Sequence, residues 1–251
     1  MYMYRKFYIV TLICFIFTCC SKESTLPIED VNTTFRATIQ PEIVVRGRSA
    51  ETPGVIAQRA YLEVWWQEKR ALRQEMSIES GTTQINFSVK LASGFDYDVY
   101  IWAGNEGYYN TNDLRNVRLK EEINYNGKTP EFDAFYTYKH VEITQEGSVL
   151  DLILKRPFAK VSFSAAAPQV KIGFTAPTAL CLKTGMVSVP RDFEYTINGE
   201  NSSVTAFDYV FADEALFQMS YSFKVGEDQK TTLIPVARNT KTNIIYNTTN
   251  N

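Results

Sequence analysis

The side chains that could do covalent or metal chemistry are few, and their spacing is poor for it. The chain has 251 residues, with four cysteines and a single histidine. Cys14, Cys19 and Cys20 belong to an N-terminal apolar run, and Cys181 stands alone far downstream. This distribution supplies neither a disulfide framework nor a zinc ligand set. His140 has no obvious nucleophile to activate and reads as a surface or strand histidine. The carboxylate pairs Asp96/Asp98, Glu121/Glu122 and Asp213/Glu214 would act as acid and nucleophile only if opposed across a cleft. Residues two apart share one strand face, so Asp96 and Asp98 read as a solvated pair. No Gly-x-Ser-x-Gly, His-Glu-x-x-His or phosphate-cradling glycine loop occurs. "NEGYYNTND" (105–113) is rich in oxygen atoms but lacks the spaced acids of an EF-hand, and reads as a turn-rich loop. The expectation is a protein that is not an enzyme and holds no cofactor and no metal.

The aromatic residues offer a different chemistry. Trp65, Trp66, Tyr108 and Tyr109 could stack on sugars, because such rings pair a large apolar face with a polar edge. Trp65 and Trp66 are adjacent, so in a strand one faces the core and the other faces outward. Trp102 reads as core. Lys and Arg number 26 against 28 Asp and Glu, a net charge of -2. No charge excess points to nucleic acid.

At the N-terminus, Arg5 and Lys6 precede "FYIVTLICFIFTCC". This apolar run of about 14 residues is shorter than the roughly 20 that span a bilayer as a helix. It reads as an export signal. Its end, followed at once by "SKES", resembles the lipobox of bacterial lipoproteins. The resemblance implies that Cys20 becomes the first mature residue and carries acyl chains such as palmitate. Cys19 is the alternative attachment point, and an ordinary cleaved signal with incidental cysteines is the other reading. Several chains, each methylene contributing about 0.8 kcal/mol, would hold a protein durably on a membrane.

Period-two patterning dominates the rest. "QINFSVKL" sets Ile85, Phe87, Val89 and Leu91 against Asn86, Ser88 and Lys90, and "TFRATIQ", "YDVYIWA", "LDLIL", "KVSFSA", "FEYTI", "MSYSFKV" and "TTLIPV" continue the theme. Turn signals such as Asn126-Gly127 and Asn198-Gly199 separate them. The pattern predicts an all-β fold of two antiparallel β-sandwich domains. "AQRAYLEVWWQEKRALRQEM" (57–76) contains good helix formers but is read as a hairpin turning at "QEKR". Pro157 marks a change of block. The expected division is a signal peptide over 1–19, a tether over 20–32, an N-terminal domain over 33–155 and a C-terminal domain over 156–251. Arg156 reads as a surface charge, and Asp133 as the residue fixing a turn.

Four stretches in order, "YIWAGNEGYYNTNDLRNV", "FDAFY", "LKRPFAKVSF" and "IPVARNTKTNI", resemble the fimbrillin-like lipoproteins of Bacteroides-type bacteria. The resemblance spans Thr33 to Ile244. It implies Greek-key, pilin-like domains exported as lipidated precursors to the outer membrane or cell surface. It also implies assembly in which an Arg-specific protease removes the leader with the first strand, and a neighbouring pilus subunit fills the groove by β-strand addition. The matching cleavage candidates are Arg46 and Arg48 in "EIVVRGRSAETPG", with "FRATIQPEIVV" as the removable strand; the alternative is that both are loop charges. The polar tail "NTTNN" lacks the alternating apolar residues of a donor strand. That departure favours an accessory or anchor subunit of a fimbrium, or a stand-alone adhesive lipoprotein, over a shaft subunit. The expected partners are therefore the membrane, through the N-terminal lipid, and other subunits. The alternative reading is a surface lipoprotein that binds glycans through outward aromatics.

Overall fold

The computed structural model describes residues 29–45, 56–144, 146 and 148–247. Cys14, Cys19, Cys20, Arg46 and Arg48, and with them the signal peptide, lie outside the described residues. The strands are β1 (Asp30–Ile39), β2 (Val44–Val45), β3 (Arg59–Trp66), β4 (Lys69–Ser77), β5 (Gln84–Ala92), β6 (Phe95–Gly104), β7 (Tyr109–Asn110), β8 (Asn116–Leu119) and β9 (Phe135–Ile143). They continue with β10 (Ser148–Leu154), β11 (Phe158–Ala165), β12 (Gln169–Cys181), β13 (Val187–Asn198), β14 (Val204–Phe211), β15 (Phe217–Val225), β16 (Asp228–Val236) and β17 (Thr240–Tyr246). Among the described residues helical structure is limited to one 3-10 turn, Pro130–Phe132. The fold is all-β, and 57–76 is the hairpin β3–β4.

Among the described residues four sheets have the orders β10-β1-β5, β4-β3-β6-β9, β14-β11-β17-β2 and β16-β15-β12-β8-β7, with β13 also paired to β12. The first two enclose one core, in which Phe35, Ile85 and Phe87 meet Leu62, Val99, Ile101 and Phe135. The last two enclose a second core around Phe158, Phe163, Phe174, Phe211 and Tyr221. The β4-β3-β6-β9 sheet serves both. Leu62, Val64, Val99 and Ile101 belong to the first core, while Tyr61, Trp65, Tyr100 and Trp102 belong to the second. A strand buried on both faces loses its polar alternation, and in "AYLEVW" and "VYIWAG" the one charged residue, Glu63, is itself buried.

Two expectations need correction. The pairing is not purely antiparallel: β1 runs parallel to β10, and β17 runs parallel to both β11 and β2. Parallel neighbours need a long crossover, and here the intervening chain builds the rest of the first unit between β1 and β10. The expected border at 155/156 is also crossed. β8 pairs with β12, Lys128 bridges to Phe207, and β2 joins β17. Segments numbered below 155 therefore build the second unit.

Candidate strand-exchange site

The segment 29–45 is the feature with the geometry of a site. β1 lies between β5, antiparallel, and β10, parallel, with hydrogen-bonded neighbours on both edges. Alternation turns Val31, Thr33, Phe35, Ala37 and Ile39 inward, all buried. Arg36 faces outward in an exposed pair with Asp151 at 3.3 Å. Phe35 sits in register with Phe87 on one side and Leu150 on the other. Taking β1 away would bare the facing edges of β5 and β10 and open the first core, leaving a template for another strand.

Beyond β1 the segment crosses to the second unit. The amide of Gln40 donates to the carbonyl of Leu154 at 3.0 Å. Ile43 is fully buried in the second core. Between them, Arg156 takes hold of the backbone. Its Nη1 donates to the Pro41 carbonyl at 2.7 Å, with longer contacts of 3.4 Å to the Glu42 carbonyl and 3.5 Å to Asn239 Oδ1. Its Nε and Nη2 make a two-pronged pair with Asp133 Oδ1 and Oδ2 at 2.6 and 2.8 Å. The guanidinium also lies over the Phe135 ring at 4.8 Å. Arg156 is 1% exposed, so the expected surface charge is in fact a buried hub joining four stretches of chain. A guanidinium suits this place because its fixed fork serves a carboxylate and carbonyls together. Burial raises the Asp133 carboxyl pKa, and the Arg156 guanidinium pulls against that rise.

The "YNTNDLR" motif is fixed by a second hub. Glu63, fully buried, accepts from Arg70 and Arg73 at 2.8 and 2.5 Å, from Trp65 Nε1 at 2.9 Å and from the Leu114 amide at 3.1 Å. Arg73 and Arg70 reach on to the carbonyls of Thr111 and Asn112. In a third hub, Asp208 accepts from Thr129 Oγ1 at 3.0 Å, from the Gly127 amide at 3.2 Å and from the Tyr195 hydroxyl. Gly127 has φ +76, and a Cβ there would lie 2.2 Å from Ile197 Cδ1, so the turn needs glycine.

The aromatic candidates separate. Trp65 is 7% exposed, covered by the Arg115 guanidinium at 3.7 Å, and Tyr109 is 5% exposed, its hydroxyl donating to the Phe132 carbonyl. Neither is open to a sugar, because both serve the second core. Trp66 is 37% exposed and meets Phe95 edge-on. Tyr108 is half-buried against Phe132. Asp96 is exposed. Asp98 is not simply solvated: it accepts from Lys183 and Tyr138 and pairs with His140 Nδ1. Burial opposes ionisation of its carboxyl, but those partners outweigh burial and hold the pKa below the usual range.

Residues 24–247 match the profile described as "Family of unknown function (DUF6562)". The chain belongs to this family. Among curated proteins none matches the chain. Solved structures that share the fold include the fimbrial anchor protein Mfa2 from Porphyromonas gingivalis, with 12% identity, TM-score 0.54, and 80% of this chain and 82% of that one covered. A candidate adhesin from Bacteroides ovatus aligns with 10% identity and TM-score 0.58 over 83% and 79% of the two chains. A candidate polysaccharide-binding protein from Bacteroides thetaiotaomicron aligns with 11% identity and TM-score 0.55 over 79% and 78%. The fold neighbours are thus the Bacteroides-type fimbrial and adhesin-like proteins that the sequence motifs resemble.

Proposed function

We propose that this protein is a lipid-anchored structural or adhesive protein of the cell surface, an accessory or anchor subunit of a fimbrium whose subunits join by strand exchange. The observation that supports the reading is the first strand, which fills the place between β5 and β10, with the residues that follow it reaching into the second unit. The shared fold with the anchor protein Mfa2 supports it. In this reading the chain consists of two β-sandwich domains behind a cleaved signal, and Cys20 carries the lipid that stays with the anchor; a cut at Arg46 or Arg48, which would shed that lipid with β1, belongs to the alternative of a released subunit, and without it both arginines are loop charges. The protein works as scaffold and contact surface, with no catalytic step assigned.

The deciding measurement is mass spectrometry of the N-terminal peptide from membrane-extracted protein. A thioether-linked diacylglycerol on Cys20 is expected, with release into the soluble fraction in Cys20→Ala. An unmodified thiol in a chain still beginning at Met1 would sink the reading. If Arg46 or Arg48 is cut, Arg46→Ala with Arg48→Ala blocks the loss of β1. A second reading, glycan binding, is favoured by the fold shared with the candidate polysaccharide-binding protein. It now rests on Trp66 and Tyr108. Carbohydrate binding that is unchanged in Trp66→Ala would remove the ring from that reading.

A further inference from the structure

The outward faces of the sheets differ in what their polar side chains do. On the β12–β13 face they pair with one another: Thr175 Oγ1 donates to Asp192 at 2.6 Å, Lys171 meets Glu194 at 2.7 Å, and Gln169 donates to Asn198 at 2.8 Å. On the β10-β1-β5 face Arg36 pairs with Asp151, and Thr34 meets Ser88. The β14-β11-β17 face is different. β11 turns Val161, Phe163 and Ala165 into the second core and Lys160, Ser162 and Ser164 outward. Register sets three rows across the strands: Tyr209-Lys160-Lys241, Phe207-Ser162-Asn243 and Thr205-Ser164-Ile245. The side chains of Ser162, Ser164, Thr205 and Asn243 make no hydrogen bond with another described residue. All four are half-buried or exposed.

These rows explain the shape of the surface. Serines on the middle strand lie between larger side chains on both flanks, so the surface sinks along β11. The flanking strands are two strand spacings apart, roughly 9–10 Å. The result is an open trough of about 640 Å³, within the range of about 300–1,000 Å³ common for ligand sites. Half-buried Phe207 forms one wall, and Ile245, 67% exposed, forms the other. A second cavity of about 580 Å³ adjoins it across Thr205 and Phe207. Lys160 and Lys241 stand at one end of the trough, and no carboxylate lines it. Glu200, in the second cavity, faces Lys128 at 3.9 Å.

An occupant must match unpaired hydroxyls, two apolar walls and a cationic end. The apolar side chains of a peptide would take those hydroxyls from water without replacing their partners, which is unfavourable. A sugar brings hydroxyls of its own, and a hydroxyl both donates and accepts. Its C–H faces suit an aromatic ring and a branched aliphatic side chain. An ammonium has three donors, so a lysine already engaged within the protein still has an N–H for a ligand carboxylate.

We propose that the outward trough of the β14-β11-β17 sheet binds an acidic glycan, a chain of uronic-acid residues lying along β11 over Ser162 and Ser164, with a carboxylate at Lys160 and Lys241. The site shares only its class of ligand with the glycan reading above, since neither Trp66 nor Tyr108 lines it. β1 takes no part in it.

The test is calorimetric titration of the full chain with trigalacturonate, with amide shifts recorded at residues 162, 164 and 243. Two controls divide the chemistry. The methyl ester of the same sugar keeps the hydroxyls and loses the charge, and triglutamate keeps the charge and loses the hydroxyls. Trigalacturonate is expected to bind and to shift those amides, and each control should bind at least tenfold more weakly. Ser164→Leu fills the trough from an outward position and should weaken binding at least tenfold, as should Lys241→Gln. Trp66→Ala should leave it unchanged. Equal binding of triglutamate would reduce the site to charge attraction and overturn the proposal. Equal binding of the ester would overturn the choice of an acidic sugar. Loss of binding in Trp66→Ala but not in Ser164→Leu overturns this site and supports the glycan reading at Trp66. Failure of trigalacturonate to bind overturns the proposal and leaves that reading to stand or fall on its own variant. The amide shifts need no variant, so the result does not depend on how the substituted chains fold.

Discussion

Among the described residues three buried carboxylates organise the fold. At Asp208, as at Asp133, burial wins. Three donors face Asp208, but burial lifts its pKa from 3.8 to about 6. A group whose folded pKa lies above its unfolded value holds its proton more tightly in the native state. Its contribution is therefore complete below about pH 4 and is lost as pH rises to about 6. The span corresponds to about 3 kcal/mol. The prediction is that wild-type stability minus that of Asp208→Asn falls across that window and is flat above it, read from urea midpoints at a series of pH values. A flat difference throughout would refute it. At Glu63 two arginines and two N–H donors converge on a fully buried carboxylate. Glu63→Leu should cost about 3 kcal/mol, since it leaves the buried Trp65 Nε1 and Leu114 amide donors without their acceptor and removes the carboxylate Arg70 and Arg73 share. Chemical denaturation measures it, and proteolysis around 111–114 should quicken because the loop loses its tie.

At the level of elements, β1 shows what alternation predicts and what it hides. Its inward set was legible from "TFRATIQ", as was that of β5 from "QINFSVKL", because one face of each is solvated. Phe35→Ala should cost about 3–5 kcal/mol through the cavity it leaves. Arg36→Ala, one residue away in an exposed pair, should stay within about 0.5 kcal/mol. Comparing their urea midpoints checks the register directly. Sequence alone did not show where β1 pairs, since its parallel partner β10 begins at Ser148, more than 100 positions away. The strands β3 and β6 were also read as strands, from "AYLEVWW" and "YDVYIWA", but that two cores cover both their faces was not. The same distance effect concealed the Arg156 hub. Arg156 looked like a loop charge because Asp133, Pro41 and Asn239 come to it only through tertiary folding. An Arg-Pro pair before an apolar strand was visible; its burial was not.

On the scale of the whole molecule, the shared sheet decides how the protein comes apart. Two independent sandwiches joined at a linker would melt separately. Here β3, β6 and β9 give one face to each core, with Leu62, Ile101 and Phe135 on one side and Tyr61, Trp102 and Tyr136 on the other. Losing either core strips one face of the same sheet. Segment 29–45 adds a second tie, through Ile43 and the Arg156 clamp. The prediction is a single cooperative transition despite the chain's length. Tryptophan fluorescence, which reports on β3 and β6, should coincide with far-UV circular dichroism, and calorimetric and van't Hoff enthalpies should agree. Trp102→Ala removes a ring packed 5.1 Å from that of Tyr109. It should lower stability by about 3–5 kcal/mol and the one midpoint with it, without splitting the transition. Two resolved transitions, in the wild type or in this variant, would show that the shared sheet does not couple the cores. If β1 is exchanged as proposed, the same coupling sets a constraint: a chain without β1 would have to keep the β4-β3-β6-β9 sheet intact through the second core alone.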